Sequence, residues 1–270
     1  MQNNINELIN KSVLEIIEHS ANDKKITALV QKHEKKIHFI PTKYRVLGGI
    51  LQSMNIQFGN FIEVLMKNLI DNEQKYEVLK TYTGKKNNTF SLSNINEQLI
   101  DKYITKCQTQ NINVDNEFVI LQKTIFENNK KIKNNFITFK HDIDLLFKDK
   151  TTNKIYYLEI KYNDDHDTGK FVDINRKFIK TYAYLLNEFN LKNYDSLVPI
   201  LFFFNNKKMK GNIYVPEGTN IKRGKTFFDE FLTTSYSSVE NYLTELSEDK
   251  NTIKNFNNLY KKIIKMNNGR

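Results

Sequence analysis

Two acids and a lysine stand where a buried strand calls for aliphatic side chains. Asp144 lies in Ile-Asp-Leu-Leu-Phe, and Glu159 and Lys161 lie in Tyr-Tyr-Leu-Glu-Ile-Lys. A buried carboxylate is costly unless a partner or a metal offsets it. Side chains of an extended chain alternate faces, so Glu159 and Lys161 share one face and Ile160 takes the other. Asp144 comes 15 residues before Glu159, a hairpin-length spacing that brings the two carboxylates together. Such a pair makes a hard oxygen site of the kind Mg²⁺ prefers. Lys161 adds a compact positive charge that orients a water or stabilises a phosphorane-like transition state. The same alternation also suits a solvent-facing edge strand. What favours chemistry is the ensemble: an acid inside an apolar strand, then Glu-x-Lys, a basic helix and a wholly apolar run.

The elements that must hold these residues can be read from periodicity. Residues 136–147 (FITFKHDIDLLF) and 155–162 (IYYLEIKY) are β-branched and aromatic, as strands are, with the polar connection KDKTTNK between them. Residues 172–189 carry helical spacing, and 196–205 (SLVPILFFFN) form an apolar run suited to a strand buried on both faces. Upstream, 5–32 and 55–70 are expected to be helices, with Pro41 and Gly48–Gly49 punctuating a loop between them. Residues 76–90 hold short pieces around Gly84, and 93–130 are mostly helical. Ser237 to Met266 gives two helical segments around a charged break near Glu248–Asn251. Helix, strand, strand, helix, strand implies an α/β fold: a mixed β-sheet core flanked by helices, with helical N- and C-terminal extensions. With three prolines and nine glycines and no evident linker, residues 1–270 read as one domain. Its parts are a mainly helical 1–130, a core at 135–205, and a basic loop with C-terminal helices at 206–270.

The net charge of +10 points to a polyanion partner. Yet 37 of the 41 basic residues are lysine, in a chain also rich in Asn and Ile, which AT-rich coding produces without selection for charge. Placement must therefore carry the argument. The one cysteine, Cys107, excludes an internal disulfide or a Cys-rich zinc site and reads as structural or incidental. No apolar run approaches membrane-spanning length and the polar start lacks a signal-peptide core, so a cytoplasmic protein is expected.

Asp144 followed by Glu159-Ile160-Lys161 resembles the PD-(D/E)xK nuclease motif. The proline is missing, because His141 precedes Asp142 and Ile143 precedes Asp144, so Asp142 competes with Asp144 for the first acidic role. More narrowly, HFIPTKYRVLGGILQSMNIQFGNFIE (38–63) and HDIDLLF…YLEIKYNDDHDTGKF…INRKFIKTYA are similar to the HinfI-like type II restriction endonucleases. The resemblance implies a restriction-endonuclease-like fold and cleavage of double-stranded DNA at GANTC in a restriction-modification system. It also implies 5′-phosphate products and a cognate DNA adenine methyltransferase. Mg²⁺ would be held by Asp144, Glu159 and the Ile160 backbone carbonyl. Glu63, an acid on an otherwise apolar helix face, would stand near the metal as an outer acid or simply face solvent. Cutting both strands of a symmetric site favours a homodimer.

DNA contacts are expected from Lys170, with Thr168 and Gly169 at a helix start, and from Arg176, Lys177 and Lys180 along that helix. The stretch 207–225, with six basic residues against Glu217, adds Lys222 and Arg223, the latter suited to guanine. Lys43 and Arg45 near Gly48–Gly49 are similar candidates. His166 reads as a solvated loop residue without a catalytic role. The aromatics fall mostly at core spacing, so no base-stacking platform is expected. Two rival readings are a repair or junction nuclease of the same fold and a non-catalytic DNA-binding protein.

Overall fold

The computed structural model describes residues 2–20, 22–86, 88–131 and 135–265. Its helices and strands run in chain order as α1 (Gln2–Ser20), α2 (Asp23–Glu34), α3 (Thr42–Asn72), β1 (Tyr76–Val78), β2 (Thr89–Ser93), α4 (Asn94–Thr109), α5 (Val114–Lys131), β3 (Phe136–Lys140), β4 (Leu145–Asp149), β5 (Ile155–Lys161), α6 (Thr168–Glu188), β6 (Leu197–Phe203), β7 (Ile221–Arg223), α7 (Gly224–Phe231), α8 (Tyr236–Ser247) and α9 (Lys250–Lys265). No helix among the described residues is long and apolar enough to cross a membrane. The chain forms two compact units, one from 1–65 with 234–270 and one from 66–233.

The 66–233 unit holds a five-stranded mixed sheet in the order β1-β4-β5-β6-β7. β1, β4 and β5 pair antiparallel, whereas β5, β6 and β7 pair parallel. Helices α4, α5 and α6 share one core with the sheet, built on Ile104, Phe118, Ile125, Tyr157, Phe178 and Leu201, all essentially closed to water. Each such large apolar side chain contributes about 1.5–3 kcal/mol on burial. β6 is buried along almost its whole length, as its apolar run requires. Cys107 is a free, buried member of this core. In the other unit, Ile17, Ile26, Val46, Ile50, Leu259 and Ile263 pack together.

Two expectations about elements need correction. Gly48–Gly49 do not make a loop; α3 runs unbroken through them. A methyl group on Gly49 would meet the Leu29 side chain at 3.1 Å, so this glycine lets α3 lie close against α2. Nor is 136–147 one strand. Phe136–Lys140 pairs with β2 in a separate two-stranded sheet, and only from Leu145 does the chain enter the main sheet. The bend between them is held by Gly84 N–H on the Ile143 carbonyl (2.7 Å) and His141 N–H on the Asn88 carbonyl (3.3 Å). Smaller shifts are the division of 5–32 into α1, which ends at Ser20, and α2, which Asn22 caps, and an α6 that begins at Thr168.

Candidate active site

β5 is flanked on both sides, by β4 and by β6, so its backbone is fixed in register. The pairing with β4 ends at Leu145 opposite Leu158. Beyond that pair the Ile160 N–H would lack a strand partner, and the Asp144 Oδ2 accepts it at 2.7 Å. Asp144 is thus the residue at the bend, one before β4, and its side chain extends the pairing where the backbone stops. Asp142 is turned elsewhere: its Oδ1 accepts the Lys86 N–H at 3.0 Å.

Around the end of β5 the polar groups converge. The Lys161 ammonium lies 2.7 Å from Glu159 Oε1 and 3.4 Å from Asp144 Oδ2, and donates to the Ile160 carbonyl at 2.8 Å. The second Glu159 oxygen, Oε2, accepts the Tyr157 hydroxyl at 3.2 Å and lies 3.5 Å from His141 Nε2. His141 is itself fixed by Thr181, with Nδ1 and Oγ1 2.8 Å apart. Glu159 is therefore held through one oxygen by His141 and Tyr157 and through the other by Lys161. Sequence reasoning passed over His141, Tyr157 and Thr181; the one available signal was a histidine three residues ahead of the first acid.

Burial pushes the Asp144 carboxyl up from the ordinary carboxylate value, and the Glu159 charge pushes it further, against Lys161. Burial acts on Glu159 in the same sense, but Lys161 and His141 outweigh it and hold that carboxyl well down. One ammonium thus satisfies one carboxylate and leaves the other short of positive charge. Among the described residues no three or more His, Cys, Asp or Glu side chains cluster for a metal. The donor set here is instead two carboxylates and a main-chain carbonyl, three hard oxygens already gathered about a cation in the form of Lys161. That set fits a hard divalent ion such as Mg²⁺, which takes few protein ligands and keeps its waters.

The family model described as "Type II restriction endonuclease, HinfI" matches residues 1–247. The chain belongs to the HinfI family of type II restriction endonucleases. It is 54% identical over 267 residues to the type II restriction enzyme HinfI of Haemophilus influenzae, covering 98% of this chain and 100% of that protein. No solved structure matches. Membership in the HinfI family makes the chain a site-specific DNA hydrolase of a restriction-modification system, and the mixed sheet flanked by helices is the α/β fold expected for it.

Several basic residues expected at the DNA of a HinfI-family enzyme are committed within the 66–233 unit. Arg176 pairs with Asp101 (2.8 Å) and Lys180 with Glu97 (2.7 Å), tying α6 to α4. Lys177 pairs with Asp173 one turn away (3.0 Å), and Lys222 with Glu230 (2.7 Å). Arg223, the expected guanine reader, is only 11% exposed and lies 3.0 Å from the wholly buried Asp164. Asp164 also accepts N–H bonds from Met209 and Gly211, both at 2.9 Å. This arginine therefore fastens the loop that leads into β7. Lys170 is exposed, but the helix start beside it is capped: Asp167 accepts the Lys170 N–H at 2.9 Å. A carboxylate there opposes a phosphate at the same amides. His166 is half-buried against the Phe171 ring rather than solvated. Burial lowers its pKa, and the Lys170 and Lys161 charges lower it further.

In the 1–65 and 234–270 unit, Arg45 donates to the His33 and Lys36 carbonyls and to Thr42 Oγ1. Lys43 lies over the Tyr44 ring at 5.3 Å and stays partly exposed. Glu63 is on α3, partly buried between Ile62 and Val64.

Proposed function

We propose that this chain is a Mg²⁺-dependent endonuclease that cuts both strands of duplex DNA at GANTC, leaving 5′-phosphates. It acts as a homodimer whose two-fold axis matches that of the site, and a cognate adenine methyltransferase protects the host DNA. One observation carries the chemistry: Asp144 Oδ2, Glu159 Oε1 and the Ile160 carbonyl all face one cationic position. Those three oxygens would hold the ion. A bound divalent ion lowers the pKa of water and neutralises charge building on the phosphate. Asp144 is the first acid in this reading, since Asp142 is spent on the Lys86 amide. Lys161, once turned from the carboxylates, orients the attacking water and supports the pentacoordinate phosphate. His141 and Tyr157 fix the Glu159 carboxylate so that its free oxygen keeps one direction. Of the basic residues, Lys43 and Lys170 are the phosphate contacts.

The test is digestion of plasmid DNA of known sequence with Mg²⁺ and with EDTA. Fragments mapping to GANTC with Mg²⁺ and intact plasmid with EDTA are expected. Discrete fragments at another sequence would overturn the specificity alone. No cutting by folded protein under broad Mg²⁺ and Mn²⁺ conditions would overturn the catalytic reading.

A further inference from the structure

The connection between α2 and α3 carries Ile37-His38-Phe39-Ile40 into solvent. Ile37 is 105% and Phe39 93% exposed, the most exposed large apolar side chains among the described residues. Single exposed apolar residues are ordinary, but neighbouring large ones at a tip mark an interaction site. This tip is also tied down. The Lys36 N–H donates to the His33 carbonyl at 3.2 Å, and the Ile40 N–H to His38 Nδ1 at 2.9 Å. From α3, Arg45 donates to the His33 carbonyl (2.8 Å), the Lys36 carbonyl (3.3 Å) and Thr42 Oγ1 (3.0 Å), closing the base of the loop. The His38 ring stacks on Phe39 with centroids 5.0 Å apart and planes 25° off parallel. One face of Phe39 is thereby braced and the other stays open. Around the base, Lys32, Lys35 and Lys36 are exposed and Lys43 partly so, with Glu34 the sole acid between residues 31 and 45.

We propose that this tip is a wedge for duplex DNA: Phe39 stacks on a displaced base, Ile37 fills the opened step, and the surrounding lysines hold the flanking phosphates. The inference rests on the reading of the chain as a DNA endonuclease and assigns a second contact to it. Insertion favours a tip whose shape is set beforehand, because the ordering cost is then not met on binding. Phe and Ile wedges kink duplexes at single base steps, and an aromatic face stacks on any base. A collar of lysines around an apolar point is complementary to a base stack lined by phosphates. It suits a second copy of the chain poorly, since a two-fold contact would bring the same lysines against one another.

The experiment uses the full chain with duplexes that carry the GANTC site and 2-aminopurine at successive positions, in EDTA so that nothing is cut. Wild type is expected to brighten 2-aminopurine at one step. Phe39→Ala abolishes that rise and weakens duplex binding about tenfold, the scale of one base on one ring. Phe39→Trp retains both, and circular dichroism of the two variants matches wild type because the side chain packs on little else. The wedge is overturned if wild type binds and cuts duplex yet no position brightens, or if Phe39→Ala leaves brightness and affinity unchanged. It is equally overturned if Phe39→Ala changes only the sedimentation of DNA-free protein, or only binding to anionic vesicles. A wild type that neither binds nor cuts duplex overturns the endonuclease reading itself, and the wedge with it.

Discussion

Asp144 and Asp142 lie two residues apart, and their different hydrogen bonds separate their expected roles. Asp144→Ala and Glu159→Ala should each lower cleavage by at least about 10²-fold, the scale of losing one electrostatic group from a reacting centre. Duplex affinity, read by gel shift in EDTA, should persist. Asp142→Ala removes only an acceptor for the Lys86 N–H and should cut at close to the wild-type rate. His141→Ala tests positioning. Groups that orient a metal ligand are typically worth about 10–100-fold, so the variant should need more Mg²⁺ for half-maximal cleavage while binding duplex normally. A wild-type Mg²⁺ requirement in His141→Ala would show that Tyr157 suffices to hold Glu159.

At the scale of elements, Arg223 acts as a fastener between β7 and the loop after β5. Arg223→Ala leaves Asp164 buried without its cation, and breaking such a pair costs about 3–5 kcal/mol. Urea denaturation should show that loss, and the surviving folded enzyme should cut the same sequence as wild type. A stable variant with altered sequence preference would restore Arg223 as a base reader. The β4–β5 turn gives a pH test. Asp149 Oδ1 accepts the Thr151 and Thr152 N–H groups at 2.8 and 2.9 Å, and Lys75 lies 3.3 Å from Oδ2. The Thr152 N–H, opposed by burial but aided by Thr151 and Lys75, lowers the Asp149 pKa below its ordinary 3.8. A lowered folded value means the stabilisation is whole above pH 3.8 and is lost as pH falls through the folded pKa. Asp149→Asn should therefore be less stable than wild type at neutral pH, by about 1–3 kcal/mol, with the gap closing in acid.

The β4–β5 hairpin, α6 and β6 were legible because apolar alternation and an uninterrupted apolar run are local signals. The bend at His141–Asp144 was not, since strand-like residues continue through it and only pairing with different strands divides them. The meeting of Asp144, Glu159 and Lys161 was legible from strand alternation and hairpin spacing, while the hold of His141 on Glu159 depends on where Thr181 of α6 comes to lie. Gly49 misled because a glycine in a helix and a glycine in a loop look alike until the neighbouring Leu29 is seen. The ion pairs of Arg176, Lys180 and Arg223 were hidden because their partners Asp101, Glu97 and Asp164 come from separate stretches of chain.

For the whole molecule, a chain of net charge +10 should bind duplex with steep salt dependence. Lys43→Ala and Lys170→Ala should each reduce the slope of log affinity against log salt by about 1, without changing the sequence cut. An unchanged slope would remove that lysine from the phosphate contacts. The discontinuity of the helical unit bears on how the enzyme comes into being. Ile17, Ile26 and Ile50 share their core with Leu259 and Ile263 of α9. On a ribosome, α1 and α2 emerge well ahead of α9 and must wait while all of 66–233 is made, roughly 10–30 s at ordinary synthesis rates. The five-stranded sheet can thus assemble before the unit that bears the Phe39 tip is complete. Duplex binding that depends on the Phe39 tip should therefore appear during synthesis only after α9 has joined Ile17, Ile26 and Ile50, later than the sheet that carries Asp144 and Glu159.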